Sequence, residues 1–137
     1  MASRLSMIVF SGDVDRLLPV AVLASGAVAV GMDVEIFVTF WGLLALKRGQ
    51  GPGLVGTETF PAEAKALEEA VQSGKVPSFL SMLRQAKELG NVHVHACGMS
   101  MDIFGLKKED LEDVVDDVTG VSEFLSLARE GEVTLFI

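Results

Sequence analysis

Residues 92–102, Val92-His93-Val94-His95-Ala96-Cys97-Gly98-Met99-Ser100-Met101-Asp102, carry the only cysteine of the chain at the end of an apolar run. The run is partly β-branched and bounded by Gly90-Asn91 and Gly98, so it reads as a buried strand. A thiol at the carboxyl end of a strand in an α/β protein lies at the edge where such sheets bind ligands. Backbone N–H groups just beyond it are placed to hold a thiolate or a persulfide anion. The competing reading is a small buried hydrophobe, the common situation of a free cysteine. Position alone leaves both open.

Outward from that strand, the pattern alternates strands and helices. Leu5 to Phe10 reads as a first strand, stopped by Ser11-Gly12-Asp13. A helix follows to about Val30, with Asp13 or Asp15 as cap and Gly31 as stop. It is apolar on nearly every face, which predicts deep burial or a subunit contact. Val34 to Phe40 is a second strand, and Trp41 to Lys47 a helical turn or two. Phe60, Ala64, Leu67 and Val71 fall at helical spacing, and Pro77-Ser78 opens another helix closed by Gly90. Beyond Cys97, Ser100 is expected to cap one turn through Phe104, and Lys107 to Asp113 to form a short polar helix. Val114-Val115 reads as a weak fourth strand, Val121 to Ala128 as an amphipathic helix, and Glu132 to Ile137 as a last strand.

Five strands joined by helices predict an α/β domain: a three-layer α/β/α sandwich around a parallel sheet, spanning residues 1–137 as one domain. In such a sheet the first three strands deliver Ser11, Gly12 and Asp13, then Phe40 and Trp41, then Cys97 to one edge. That convergence is the bottom-up argument for a site.

Composition sets the bounds. Half of the residues are hydrophobic and the mean hydropathy is +0.44, so the sheet is covered on both faces or apolar surface awaits partner subunits. A net charge of −8 argues against nucleic acid, which needs clustered Lys and Arg. One cysteine excludes an intrachain disulfide framework and fits a reducing, cytoplasmic compartment. Leu17 to Met32 is apolar but holds Pro19, Gly26 and Gly31 and is too short for a stable membrane span.

Other motifs weigh less. Residues 49–59 form a glycine-rich loop in which Gly51-Pro52-Gly53-Leu54-Val55-Gly56 matches GxGxxG literally. The dinucleotide mechanism needs a strand before it and a helix directly after; here a helix precedes and Pro52 removes an N–H. A surface loop is the better reading, with the length of a flap that orders over a site. His93, His95 and Cys97 alternate along one strand face. Three ligands strung along one strand converge poorly on an ion, so no metal and no cofactor is expected. His95 remains a modulator of the thiol. Asn91 on the same strand cannot complete a Cys-His triad, which disfavours a hydrolase.

Taken together, Ala96-Cys97-Gly98-Met99-Ser100-Met101-Asp102, then Gly105 and Lys107-Lys108-Glu109-Asp110-Leu111, resemble the DsrE/DsrF-like family of small sulfur-relay proteins. Thr39-Phe40-Trp41-Gly42-Leu43, Val76-Pro77-Ser78, Ala86-Lys87-Glu88-Leu89-Gly90 and the terminal Thr134-Leu135-Phe136-Ile137 extend the resemblance over nearly the full length. It implies the three-layer fold, homo-oligomers, and a cysteine at position 97 that takes sulfur as a persulfide or thiosulfonate. It also implies rhodanese-like or TusA-like sulfur-transfer partners.

The expected function is a sulfur carrier or sulfurtransferase with Cys97 as acceptor. Amides of Gly98, Met99 and Ser100 are expected to hold the charged sulfur, with Lys107 or Lys108 folding back towards it. Phe40 and Trp41 are expected to shield it, Ser11, Gly12 and Asp13 to shape the mouth, and Met101 and Asp102 to complete the binding segment. The sulfur is expected to stand open at the rim. The rival is a non-catalytic oligomeric binding or assembly module with a structural cysteine. A peroxidase lacks its usual Pro, Thr and Arg close before Cys97.

Overall fold

The computed structural model describes residues 3–53 and 59–137. Strands β1 (Arg4–Val9), β2 (Asp33–Val38), β3 (Val92–Cys97), β4 (Asp117–Thr119) and β5 (Val133–Phe136) form one sheet in the order β4-β3-β2-β1-β5. Every pairing is parallel. The helices are α1 (Val14–Ala29), α2 (Phe40–Leu44), α3 (Pro61–Gln72), α4 (Phe79–Leu89), α5 (Gly98–Phe104) and α6 (Val121–Ala128). Parallel strands need such crossovers, and the helices make the outer layers of a three-layer α/β sandwich.

The period of two along the strands sorts their side chains onto two unlike faces. Leu5, Met7 and Val9 of β1, Val34, Ile36 and Val38 of β2, and Val92, Val94 and Ala96 of β3 share the main core. Leu17, Val20, Ala21 and Ala24 of α1 and Phe79, Leu83 and Ala86 of α4 close over them. The opposite face carries Ile8, Glu35, Phe37, Thr39, His93, His95 and Cys97, and Phe124 and Ala128 of the eight-residue α6 pack on its apolar part. One face is thus a dry aliphatic core, the other a thinner and partly polar one.

Several expectations shift. The fourth strand is Asp117–Thr119, paired with His95–Cys97, and Val114-Val115 lies just before it. Both valines are buried in the main core, so they do not alternate as strand residues must. The polar helix over Lys107–Asp113 shrinks to a 3-10 turn at Lys108–Asp110. Ser100 is not a cap: the helix starts at Gly98 with Cys97 at its N-cap position, and Gly105 ends it at φ +64°. Asp13 stands at the N-cap of α1 without a side-chain capping bond. On α1, Val22 and Leu23 are exposed at 53% and 38%, so burial does not extend around the helix. Among the described residues, no helix is long and apolar enough to cross a membrane.

The ends of β1 and β2 are fixed by a close backbone approach. Gly42 N–H donates to Phe10 O at 3.0 Å, and a Cβ at Gly42 would stand 2.5 Å from Val9 O. A side chain there forces the start of α2 away from β1. Gly42→Ala should lower unfolding free energy by about 1–3 kcal/mol, measured by urea denaturation.

Candidate functional site

Cys97 ends β3, and the first turn of α5 folds back over it. Burial pushes the Cys97 thiol up, but the Ser100 hydroxyl and amide, the Thr39 hydroxyl and the Met99 amide outweigh it. The thiol therefore titrates below its ordinary value. Its activating groups are neutral hydroxyls and amides. Lys107 and Lys108 are exposed on the turn beyond α5, where Lys107 N–H donates to Asp110 Oδ2 at 2.8 Å.

Ser100 organises this end of the sheet. It is fully buried, although it lies one turn into a helix, because its Oγ accepts the Phe40 N–H at 3.0 Å and meets Thr39 Oγ1 at 3.1 Å. Phe40 needs that support. Its φ of 49° places a bulky side chain in the left-handed region, a strained conformation that persists only when neighbours hold it. Ser100 thus ties the end of β2 to the thiol at the end of β3.

The sulfur does not stand open. Cys97 is 5% exposed and belongs to an apolar cluster with Phe37, Phe124, Ala128 and Ile8. The physical reason is its face: Cys97 points to the α6 side of the sheet, where Phe124 stacks on Phe37 at 5.0 Å. Phe40 and Trp41 sit instead in an aromatic rim with Phe10, at ring separations of 5.7 and 6.3 Å, and Phe104 joins through Trp41 at 6.0 Å.

The remaining expected residues divide. Gly12, Asp13 and Trp41 line a cleft of about 250 Å³ with Leu44, Ala45, Gln50, Gly51 and Gly53, and Cys97 is not one of its walls. Ser11 is buried and its amide donates to Ile137 O. Met99 is exposed at 60%, Asp102 is exposed, and Met101 faces the main core. Gly98 is half-buried beneath Val118 and Thr119. The three strand ends therefore reach one edge but supply two separate places. The glycine-rich loop pairs with the first of them: Gly53 N–H donates to Gly12 O at 2.7 Å. Leu54, Val55 and Gly56 of the GxGxxG match lie outside the described residues, so the flap reading does too.

A polar cluster escaped the sequence. On the Cys97 face, His95 Nε2 donates to Glu35 Oε2 at 2.6 Å and His95 Nδ1 to Asp117 Oδ1 at 2.6 Å. Glu35 Oε1 meets His93 Nδ1 at 3.1 Å, and Thr119 Oγ1 donates to Asp117 Oδ1 at 2.8 Å. A carboxylate on each ring nitrogen requires the doubly protonated imidazolium. The bond to Glu35 raises the His95 pKa, burial opposes it, and Asp117 adds to the rise. Glu35 and Asp117 are both lowered: burial raises each, and the bonds to His95 prevail. The parallel register sets Glu35 opposite His93 and His95 opposite Asp117. Two acids and two histidines on three strands give no contiguous motif, and only the alternation of His93 and His95 along β3 hinted at the cluster.

The sign of the pH dependence follows. The imidazolium stabilises the fold fully below about 6.5, the ordinary histidine value, and that contribution is lost as pH rises through the raised value. The carboxylates stabilise above their ordinary range and lose this as pH falls through their lowered values. Urea unfolding across pH should therefore show a plateau with a decline on each side, and His95→Gln should lack the alkaline decline. Ser100→Ala removes a donor to the sulfur and should raise the Cys97 titration midpoint, read from the ultraviolet absorbance of the thiolate.

The profile of a family described as DsrE/DsrF/DrsH-like matches residues 1–56 and 53–136. The uncharacterised protein YrkE of Bacillus subtilis is 30% identical over 156 aligned positions, covering 98% of this chain and 96% of that protein. A protein named sulfur carrier protein DsrE2, from Allochromatium vinosum, is 29% identical and covers 98% of both. Among solved structures, the ychN protein of E. coli superposes with a TM-score of 0.64 at 16% identity, covering 98% of this chain and 99% of that one. The MTH1491 protein of Methanobacterium thermoautotrophicum gives 0.61 at 18%, with the same coverage. Both structural likenesses concern the fold.

Proposed function

The chain belongs to the DsrE/DsrF/DrsH-like family, and from that premise we propose that it is a sulfur carrier or sulfurtransferase acting through Cys97. The observation that carries the reading is the set of donors around the sulfur. Ser100, Thr39 and the Met99 amide favour the thiolate despite burial. A thiol kept only for packing gains nothing from a lowered pKa. The similarity to a named sulfur carrier points the same way.

The chemistry is exchange at sulfane sulfur. The Cys97 thiolate attacks the outer sulfur of a donor persulfide; an Sγ–S bond forms, the donor S–S bond breaks, and the donor leaves as its thiolate. Handing the sulfur to an acceptor thiolate reverses these roles and returns Cys97 as the anion. Its hydroxyl and amide donors stabilise that anion at both ends of the cycle. With one cysteine the chain cannot resolve the persulfide internally, so the acceptor thiol belongs to a partner or another subunit. Rhodanese-like or TusA-like proteins in a reducing cytoplasm fit that requirement. Tetrathionate loads the same atom as a thiosulfonate: an Sγ–S bond forms to an inner sulfur, the central S–S bond breaks, and thiosulfate leaves. Exposed Phe10, Trp41, Met99, Ile103 and Phe136 provide apolar surface for a homo-oligomer or for such a partner.

The burial of Cys97 favours one other reading, an assembly module whose cysteine only packs. Whole-protein mass spectrometry after incubation with a sulfane donor separates the two. Wild-type protein should gain sulfur and Cys97→Ser, with its fold intact, should gain none. A wild-type chain whose mass never changes and whose thiol ignores iodoacetamide in the native state is the assembly module.

A further inference from the structure

A buried acceptor sulfur raises the question of what uncovers it. β4 and α6 are consecutive, joined at Thr119 and Gly120, the N-cap residue of α6. This strap of residues 117–128 lies over the site. Thr119 pairs beside Cys97, Val118 and Thr119 flank Gly98, and Phe124 and Ala128 pack with the sulfur. Just ahead of the strap, Asp116 is anchored independently: its Oδ2 accepts from Val94 N–H at 2.8 Å and pairs with Lys87 Nζ at 2.6 Å. β4 is held to β3 by the backbone ladder from His95 to Cys97, and on the Cys97 face side-chain bonds add a run from Glu35 through His95 to Asp117, with Thr119 Oγ1 3.5 Å from His95 Nδ1.

We propose that the Glu35–His95–Asp117 bridge is a clasp on the 117–128 strap, and that parting it swings the strap about Asp116 and brings Cys97 within reach of a sulfur donor or acceptor. The proposal rests on Cys97 as the working sulfur and concerns the regulation of that site. The bridge suits the task because it depends on one proton. A neutral imidazole donates from one nitrogen only, so losing the second proton sets a bare ring nitrogen against a carboxylate. The groups facing His95 are Glu35 from β2, Asp117 and Thr119 from β4, and the ring of Phe124 from α6 at 6.0 Å; His93 of β3 joins through Glu35 and by a ring contact at 6.4 Å. Arg4 of β1 is tied to Leu127 O at the far end of α6. His93 and Asp117 are the exposed members, with 53% and 55% of their side chains in solvent, which gives water or a partner's charge a route to the bridge.

Hydrogen exchange of the full-length protein across pH reads the strap directly. The opening constant of amides 117–128 should climb by up to about tenfold per pH unit above the ordinary imidazole value and level off at the raised one. His95→Gln should open at every pH without a step, and Asp117→Asn should move the step to lower pH. At fixed pH, a neutral alkylating reagent should label Cys97 about tenfold faster in His95→Gln than in wild type. Electrostatics alone gives the opposite sign, since losing an imidazolium near the sulfur disfavours the thiolate. If His95→Gln does not fold, Asp117→Asn, at a carboxylate with 55% of its side chain exposed, carries the same comparison. A wild-type exchange profile that stays flat while the His95 ring titrates, or unchanged labelling in the variants, overturns the clasp. A strap that opens on schedule in a protein that takes up no sulfur keeps the clasp and removes the relay.

Discussion

The Ser100 hydroxyl is the contact on which this end of the molecule depends. It accepts the Phe40 amide, meets the Thr39 hydroxyl and supports the Cys97 thiolate. Three requirements meet on one oxygen: the strained entry of Phe40 into α2, the junction of β2 with β3, and the charge state of the sulfur. A buried hydroxyl is costly unless its bonds are made, and here they are made across 60 residues of sequence. The same economy explains why Ser100 is buried inside a short helix instead of capping it in solvent.

The two faces of the sheet divide stability from chemistry. The α1 and α4 side is an aliphatic core whose strand residues are nearly all inaccessible. The α6 side is covered by one short helix over a cluster that mixes Phe37 and Phe124 with a buried ion pair. Such pairs add little net stability against an apolar replacement, yet removing one partner strands a charge. Cys97 lies on this thin face, so the cover over the proposed acceptor sulfur is the 117–128 strap.

Cys97 is separated from the cleft at Gly12, Asp13 and Trp41, which are delivered by the loop after β1 and by α2, because its own side chain packs on the α6 face with Phe37 and Phe124. The aromatic rim at this edge remains apolar and exposed, which suits contact with another protein surface better than enclosure of a small molecule.

By itself the sequence determined the layered parallel fold, the limits of most helices and the place of Cys97 at the end of β3, because hydrophobic period and glycine stops are local signals. It misplaced the fourth strand, since Asp117 has poor strand propensity and is held there by His95 and the ladder to β3. The side to which Cys97 points, its burial, and the joining of Glu35, His95 and Asp117 were decided only by tertiary structure. Register between distant strands sets those contacts, and register is a property of the packed sheet, not of any segment within it.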